Sequence, residues 1–234
     1  MTYDAGRGAG VPLCLLEGFR GYIQTDGYDA YNAVVASNGL MHMGCMAHAG
    51  RKFSDAVKPE GKNKKPSKAQ HGLALIQKLY RVEKQAKQLT SRERFDFRQQ
   101  HAKPILERLR RWLDDSLPNV LPSSTAGKTL NYLHNEWDKL TCHLDDGRLK
   151  IDNNLAENVI RPFVVARKNW LFSTSCEGVN ASANLYSLIE TTKANGLEPY
   201  ACLRYLFAEL PRADTVDAIE APLPGNVNPG QIKL

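Results

Sequence analysis

Between residues 68 and 144 apolar residues recur every third or fourth position, which predicts helices over that span. Leu75, Leu79, Val82, Ala86 and Leu89 form one such face. Ile105, Leu109 and Trp112 form a second, and Leu130, Leu133, Trp137, Leu140 and Leu144 a third. The pattern before this span has a different period. "GYIQTDGY" alternates Tyr22 and Gln24 with Ile23 and Thr25 and stops at Asp26 and Gly27, which predicts a short strand ending in a turn. "DAYNAVVASNG" predicts a helix closed by its glycine, and "LMHMGCMAH" a second, apolar strand. Together these make a β-α-β unit of a parallel sheet.

After the helical span, "RLKID" predicts a short strand leading into a helix that starts near Asp152. "GVNASANLYSLIETTKANG" predicts a helix with Leu185, Leu188 and Ile189 turned inward and a stop at Asn195 and Gly196. "EPYACLRYLFAEL" predicts another, with Pro199 in its first turn. The expected organisation is α/β over 1–50, an all-helical insertion over 51–148, a return to the α/β part with C-terminal helices over 149–210, and a flexible Pro/Gly-punctuated tail over 211–234.

With 234 residues and 42% of them apolar, the chain can bury a sizeable core. Its net charge of +6 and pI near 9.0 favour anionic partners, nucleic acid first among them. The five cysteines are odd in number and widely spaced, and no apolar stretch reads as a leader or a membrane span. A reduced, cytoplasmic protein is expected. Between Arg51 and Lys68 seven basic residues face two acidic ones, either as a solvated linker or as a phosphate-contacting loop. The glycine-rich opening lacks the Lys-Ser or Lys-Thr of a phosphate-cradling loop.

The residues with the most chemistry lie in "KIDNNLAENVIRPFVVARKNWLF", residues 150–172. Asp152, Asn153 and Asn154 crowd a helix start where one capping group is enough, Glu157 follows one turn in, and Arg161, Arg167 and Lys168 lie behind it. Pro162 predicts a kink or an end to that helix at Arg161. Two interpretations stay open. Asp152 or Asn153 can be an N-cap worth about 1 kcal/mol, with Glu157 and Arg161 an exposed i, i+4 pair worth about 0.3 kcal/mol. Alternatively Glu157 meets Asp26 at the carboxyl ends of the strands, where the two acids would hold a hard divalent cation. Asp26 before Gly27 also suits a simple turn. Trp170 is a core residue or a surface for an extruded base. Cys45 and His48 have half the ligands of a zinc site, and no zinc is expected.

Four stretches, "QTDGYDAYN", "GCMAHAGRKF", "IDNNLAENVIRPFVVARKNWLFS" and "YSLIETTKANGLEPYACLRYL", resemble successive signatures of the insertion-sequence-sixty-six family of bacterial DDE transposases. The resemblance runs from about Gly18 to Leu210. It implies a ribonuclease-H-like catalytic domain in which three acids bind two Mg²⁺ or Mn²⁺ ions for DNA cleavage and strand transfer. Asp26 is then the second acid and Glu157 the third. Arg161, Arg167 and Lys168 are phosphate contacts, Asp152 to Asn154 brace the site, and His48 borders it. The first acid is expected on a strand upstream of this sequence, since Asp4 has no apolar strand to aim it, so the fold is expected to be a partial one. The implied partner is DNA, bound by a homo-oligomer in the bacterial cytoplasm at the nucleoid. The alternative is a non-catalytic remnant whose helices bind DNA or another protein. "LPGN" at 223–226 departs from the family's Leu-Pro-Trp-Asn run.

Overall fold

The structure is a computed structural model, and it describes residues 6, 8–58, 66–166 and 175–232. The chain divides into two compact units, Gly6–Asn154 and a second that runs from Leu155 to the C-terminus.

The first unit opens with α1 (Gly10–Leu15), followed by β1 (Tyr22–Gln24), α2 (Ala30–Asn38) and β2 (Met41–Met43). The strands pair in parallel, with Tyr22 opposite Met41 and Gln24 opposite Met43. The expected β-α-β unit is therefore present, with α2 closing at Gly39. Its second strand is shorter than expected, because α3 (Met46–Val57) takes over the end of "LMHMGCMAH". The expected boundary between residues 50 and 51 falls inside this helix.

The helices that follow are α4 (Lys68–Gln85), α5 (Ser91–His101), α6 (Lys103–Ser116), α7 (Thr125–Asn135) and α8 (Trp137–Thr141). Capping boxes start two of them: Ser67 with Gln70 at α4 and Thr90 with Glu93 at α5. The apolar face of α4 buries Leu75, Ile76, Leu79 and Val82 against Phe53 of α3, Leu109 and Leu113 of α6 and Leu130 and Leu133 of α7. The periodic positions thus do form the core. Helix α5 is absent from the sequence reading because its stretch, "SRERFDFRQQH", is polar nearly all round.

Two expectations fail here. The third predicted helix breaks at Glu136 into α7 and α8 and ends in a 3-10 turn over Cys142–Leu144. "RLKID" forms no strand, so the sheet among the described residues has two strands. From residue 143 on, side chains of another element take the carbonyls. Arg98 of α5 donates to the carbonyls of His143 (2.7 Å), Asp146 (3.2 Å) and Leu149 (3.0 Å), and Gln99 donates to Leu144 (2.9 Å). The guanidinium, 0% exposed, is held by both carboxylate oxygens of Glu83 on α4 at 2.8 and 2.7 Å. Gly147 sits so close to the Ser91 carbonyl that a Cβ there would clash with it. The loop between α8 and the next helix is thereby clamped onto α4 and α5.

The second unit holds α9 (Asn154–Ala166, whose first residue belongs to the preceding unit), α10 (Cys176–Ala194), α11 (Pro199–Glu209) and α12 (Val216–Glu220). Pro162 lies inside α9 and does not end it. The lost hydrogen bond would have gone to Asn158, an exposed residue. Helix α10 buries Ala183 and Thr192, and Leu188 and Ile189 are half-buried, but Leu185 is exposed. The expected tail contains structure. Thr215 caps α12 through the Ala218 amide, Asn226 donates to the Glu220 carbonyl, and Val227 is buried.

Candidate active site

The carboxyl ends of β1 and β2 gather most of the predicted site residues of the first unit. The ladder extends one residue past β1, where the Thr25 amide donates to Met43 O at 3.0 Å, and the chain then turns. The Gly27 amide donates to Thr25 Oγ1 (3.2 Å) and the Tyr28 amide to Asp26 Oδ1 (3.1 Å). Gly27 has φ +91, a conformation that other residues rarely adopt, so "TDG" is a turn that fixes Asp26 at the strand end. Asp26 is exposed there.

Tyr132 and Glu136, from the end of α7, lie against this turn, since a Cβ built on Gly27 would meet Tyr132 Oη at 3.6 Å and Glu136 Oε2 at 3.9 Å. Burial first, then the carboxylate of Glu136, with a smaller contribution from Asp26, pushes the Tyr132 hydroxyl up to about 12. Lys139 pairs with Glu136 at 3.1 Å, and Lys52 lies 4.5 Å from the centre of the Tyr132 ring. Thr25 Oγ1 and His42 Nε2 are 2.8 Å apart. Burial and then Lys139 hold the His42 imidazole below its ordinary range, although Glu136 opposes them. Sequence periodicity gave no signal for Tyr132, Glu136 or His42, because this contact pairs a helix end with a strand end.

The "IDNN" stretch docks on the same edge. Gln24 Nε2 donates to the carbonyls of Gly44 (3.1 Å) and Lys150 (3.0 Å), and the Met46 amide donates to Ile151 O at 3.1 Å. Asp152 accepts from the Tyr80 hydroxyl at 2.8 Å and from the Asn154 amide at 3.1 Å. Asp152 is therefore the turn that opens α9, and α4 holds it in place. Burial and then Asp152 push the Tyr80 hydroxyl far above its ordinary value, which keeps it a donor. Asn153 Oδ1 is buried and has no hydrogen-bond partner among the described residues.

Cys45 precedes α3 and is fully buried, and His48 is half-buried in the first turn of that helix. Burial raises the Cys45 thiol, although the amides of Asn153, His48 and Ala47 pull the other way. Cys142 and His143 do not join them: Cys142 Sγ contacts the carbonyls of Asp138 (3.3 Å) and His42 (3.7 Å), and His143 Nδ1 contacts Leu140 O at 2.9 Å. Among the described residues no three His, Cys, Asp or Glu side chains stand close enough to share a metal ion.

Glu157 and Arg161 belong to the second unit. Glu157 is the fourth residue of α9 and half-buried, and Arg161 is exposed one turn later. Arg167, Lys168 and Trp170 lie outside the described residues, as does Asp4. No helix among the described residues is long and apolar enough to cross a membrane.

Comparison with known proteins places the chain among relatives. Residues 1–181 match the family model for the IS66 family of transposases, and residues 187–224 match that for the IS66 C-terminal element. The uncharacterized protein y4jD of Sinorhizobium fredii (strain NBRC 101917 / NGR234) is 30% identical over 224 residues, covering 93% of this chain and 43% of y4jD. The uncharacterized protein y4qI of the same strain is 31% identical over 237 residues, covering 98% of this chain and 43% of y4qI. The chain thus spans less than half the length of these relatives. No solved structure matches.

Proposed function

Because the chain belongs to the IS66 transposase family, we propose that it supplies two of the carboxylates of a metal-dependent DNA cleavage and strand-transfer centre, Asp26 and Glu157. The observation that carries this reading is the double tie of the 150–152 stretch, through Gln24 and Met46, to the strand ends where Asp26 sits. In α/β sheets ligands bind outside the carboxyl ends of the strands, and Asp152 starts the helix on which Glu157 is the fourth residue. A ribonuclease-H-like sheet would be larger than the two strands among the described residues.

Asp26 and Glu157 are oxygen donors of the kind that Mg²⁺ and Mn²⁺ prefer. When bound, a pair of such ions stabilises the attacking and leaving oxygens of a phosphodiester. The chain's own residues do the rest. The Thr25–Gly27 turn fixes the direction of Asp26, Asp152 and Tyr80 fix the start of α9, and Asn153 and Asn154 complete that start. His48 borders the crevice from α3. Arg161, with Arg167 and Lys168, neutralises phosphates of the bound DNA, and a homo-oligomer holds the element ends.

Magnesium binding tests the reading without relying on turnover. Mg²⁺ should raise the melting temperature of the wild-type chain, and Asp26→Asn and Glu157→Gln should each abolish that rise, because a shared ion needs both ligands. A full rise in either variant would show that the two acids do not share a cation.

A further inference from the structure

A second feature of the first unit lies between α6 and α8. A groove of about 500 Å³ is lined there by Lys103, Glu107, Arg110 and Arg111 of α6 and by Trp137 of α8, with Thr141 and Leu144 at its end. Residues 103, 107, 110 and 111 share one helix face because they recur at three- and four-residue steps. Trp137 is half-buried, with part of its ring packed on the core, so it forms a fixed wall.

Arg110 is held on two sides. Its guanidinium carbon lies 5.4 Å from the centre of the Trp137 ring, and its Nε donates to Asp114 Oδ2 at 3.1 Å. Its Nη atoms make no hydrogen bond among the described residues. Lys103 and Arg111 are exposed on the same face and likewise have no ion pair or hydrogen bond among the described residues. Against these three cations stand two carboxylates, Glu107 in the groove and Asp114, the partner of Arg110. A guanidinium pinned by a ring and by its Nε, with its forked edge open, is preorganised for a planar pair of phosphate oxygens.

We propose that this groove grips the phosphodiester backbone of DNA, with Arg110 as the oriented fork and Lys103 and Arg111 as flanking phosphate contacts. The groove itself follows from these contacts, and the transposase reading enters only in identifying the anion. Contacts of this kind position the helical region on the duplex through its phosphates, which carry no sequence information directly.

The test is fluorescence anisotropy of a labelled random-sequence duplex, titrated with the full chain across a range of salt in EDTA. Lys103→Ala combined with Arg111→Ala should weaken binding about tenfold and lower the slope of log affinity against log salt by about 2, one for each phosphate no longer neutralised. Arg110→Lys, which keeps the charge but removes the fork and the stack, should weaken binding with the slope unchanged. Circular dichroism spectra and melting temperatures matching the wild type confirm that these substitutions leave the fold intact. Unchanged affinity and slope in the double variant would overturn the proposal. So would a double variant that keeps full duplex binding but loses calorimetric binding of inorganic phosphate, which would make the groove a small-anion site. Because EDTA removes divalent ions, a failed magnesium test at Asp26 and Glu157 leaves this result untouched.

Discussion

The helices of the first unit and helix α9 of the second carry the same kind of apolar periodicity and use it in opposite ways. Leu109, Leu113, Leu130 and Leu133 are 0% exposed, whereas on α9 Leu155 is 72% exposed, Ile160 48% and Val165 50%. Periodicity identifies a helix with an apolar stripe and is silent on whether anything covers the stripe. The consequence is practical. Substitutions at the buried leucines of the first unit act through folding, while those at the exposed apolar positions of α9 should leave the fold standing.

The largest expected effect breaks the first region at its buried ion pair. Arg98→Met removes a cation that satisfies Glu83 and three carbonyls at once, leaving an unpaired carboxylate on α4 whose side chain is 16% exposed. Breaking such a pair costs about 3–5 kcal/mol. Urea denaturation should show this loss. Hydrogen exchange resolved by peptide should place the faster opening in α4, α5 and the 142–150 loop, and not in α10 or α11. Uniform acceleration along the whole chain would mean that the two regions unfold together, and the contrast would disappear.

The parts of this arrangement that sequence revealed are those with a local cause. The β-α-β unit, the parallel pairing and the α4 face follow from alternation, turn residues and helical period over neighbouring positions. Asp26 at a strand end was legible because a glycine follows it where the alternation stops, and in the structure that glycine has the positive φ of the turn. Arg98 with Glu83, Tyr80 with Asp152, and Glu136 beside Gly27 were not, because each joins residues far apart in the chain and leaves no periodic trace. The strand expected at "RLKID" failed for the same reason: its carbonyls bond to side chains that no pattern in that stretch predicts.

Acid provides a somewhat smaller test of the same region. His143 is 1% exposed, and burial, then the neighbouring Arg98, lowers its imidazole to about 4. It is therefore neutral in the folded chain at pH values where the unfolded chain, with an ordinary histidine near 6.5, already binds a proton. The fold keeps its full stability above pH 6.5, loses it as the pH falls from there to about 4, and loses no more to this group below that. The total is on the order of 3 kcal/mol. Stability measured by urea against pH should fall less steeply over that window in His143→Leu than in the wild type. Parallel curves would show that the imidazole titrates freely and that the clamp is looser than its geometry.

The smallest expected effect tests the other side of the contrast. Leu→Ala in a tight core costs about 2–5 kcal/mol, through lost transfer energy and the cavity left behind, and Leu109 meets those conditions. At Leu155 the same substitution removes atoms that already face water, and alanine is at least as good a helix former as leucine, so stability should change by less than about 0.5 kcal/mol. Because the chemistry is identical at the two positions, the difference in their urea midpoints measures burial alone. A cost at Leu155 approaching that at Leu109 would mean that in solution the apolar stripe of α9 is covered. Variants at Glu157 would then have to be judged for folding before any loss of magnesium binding could be assigned to the carboxylate.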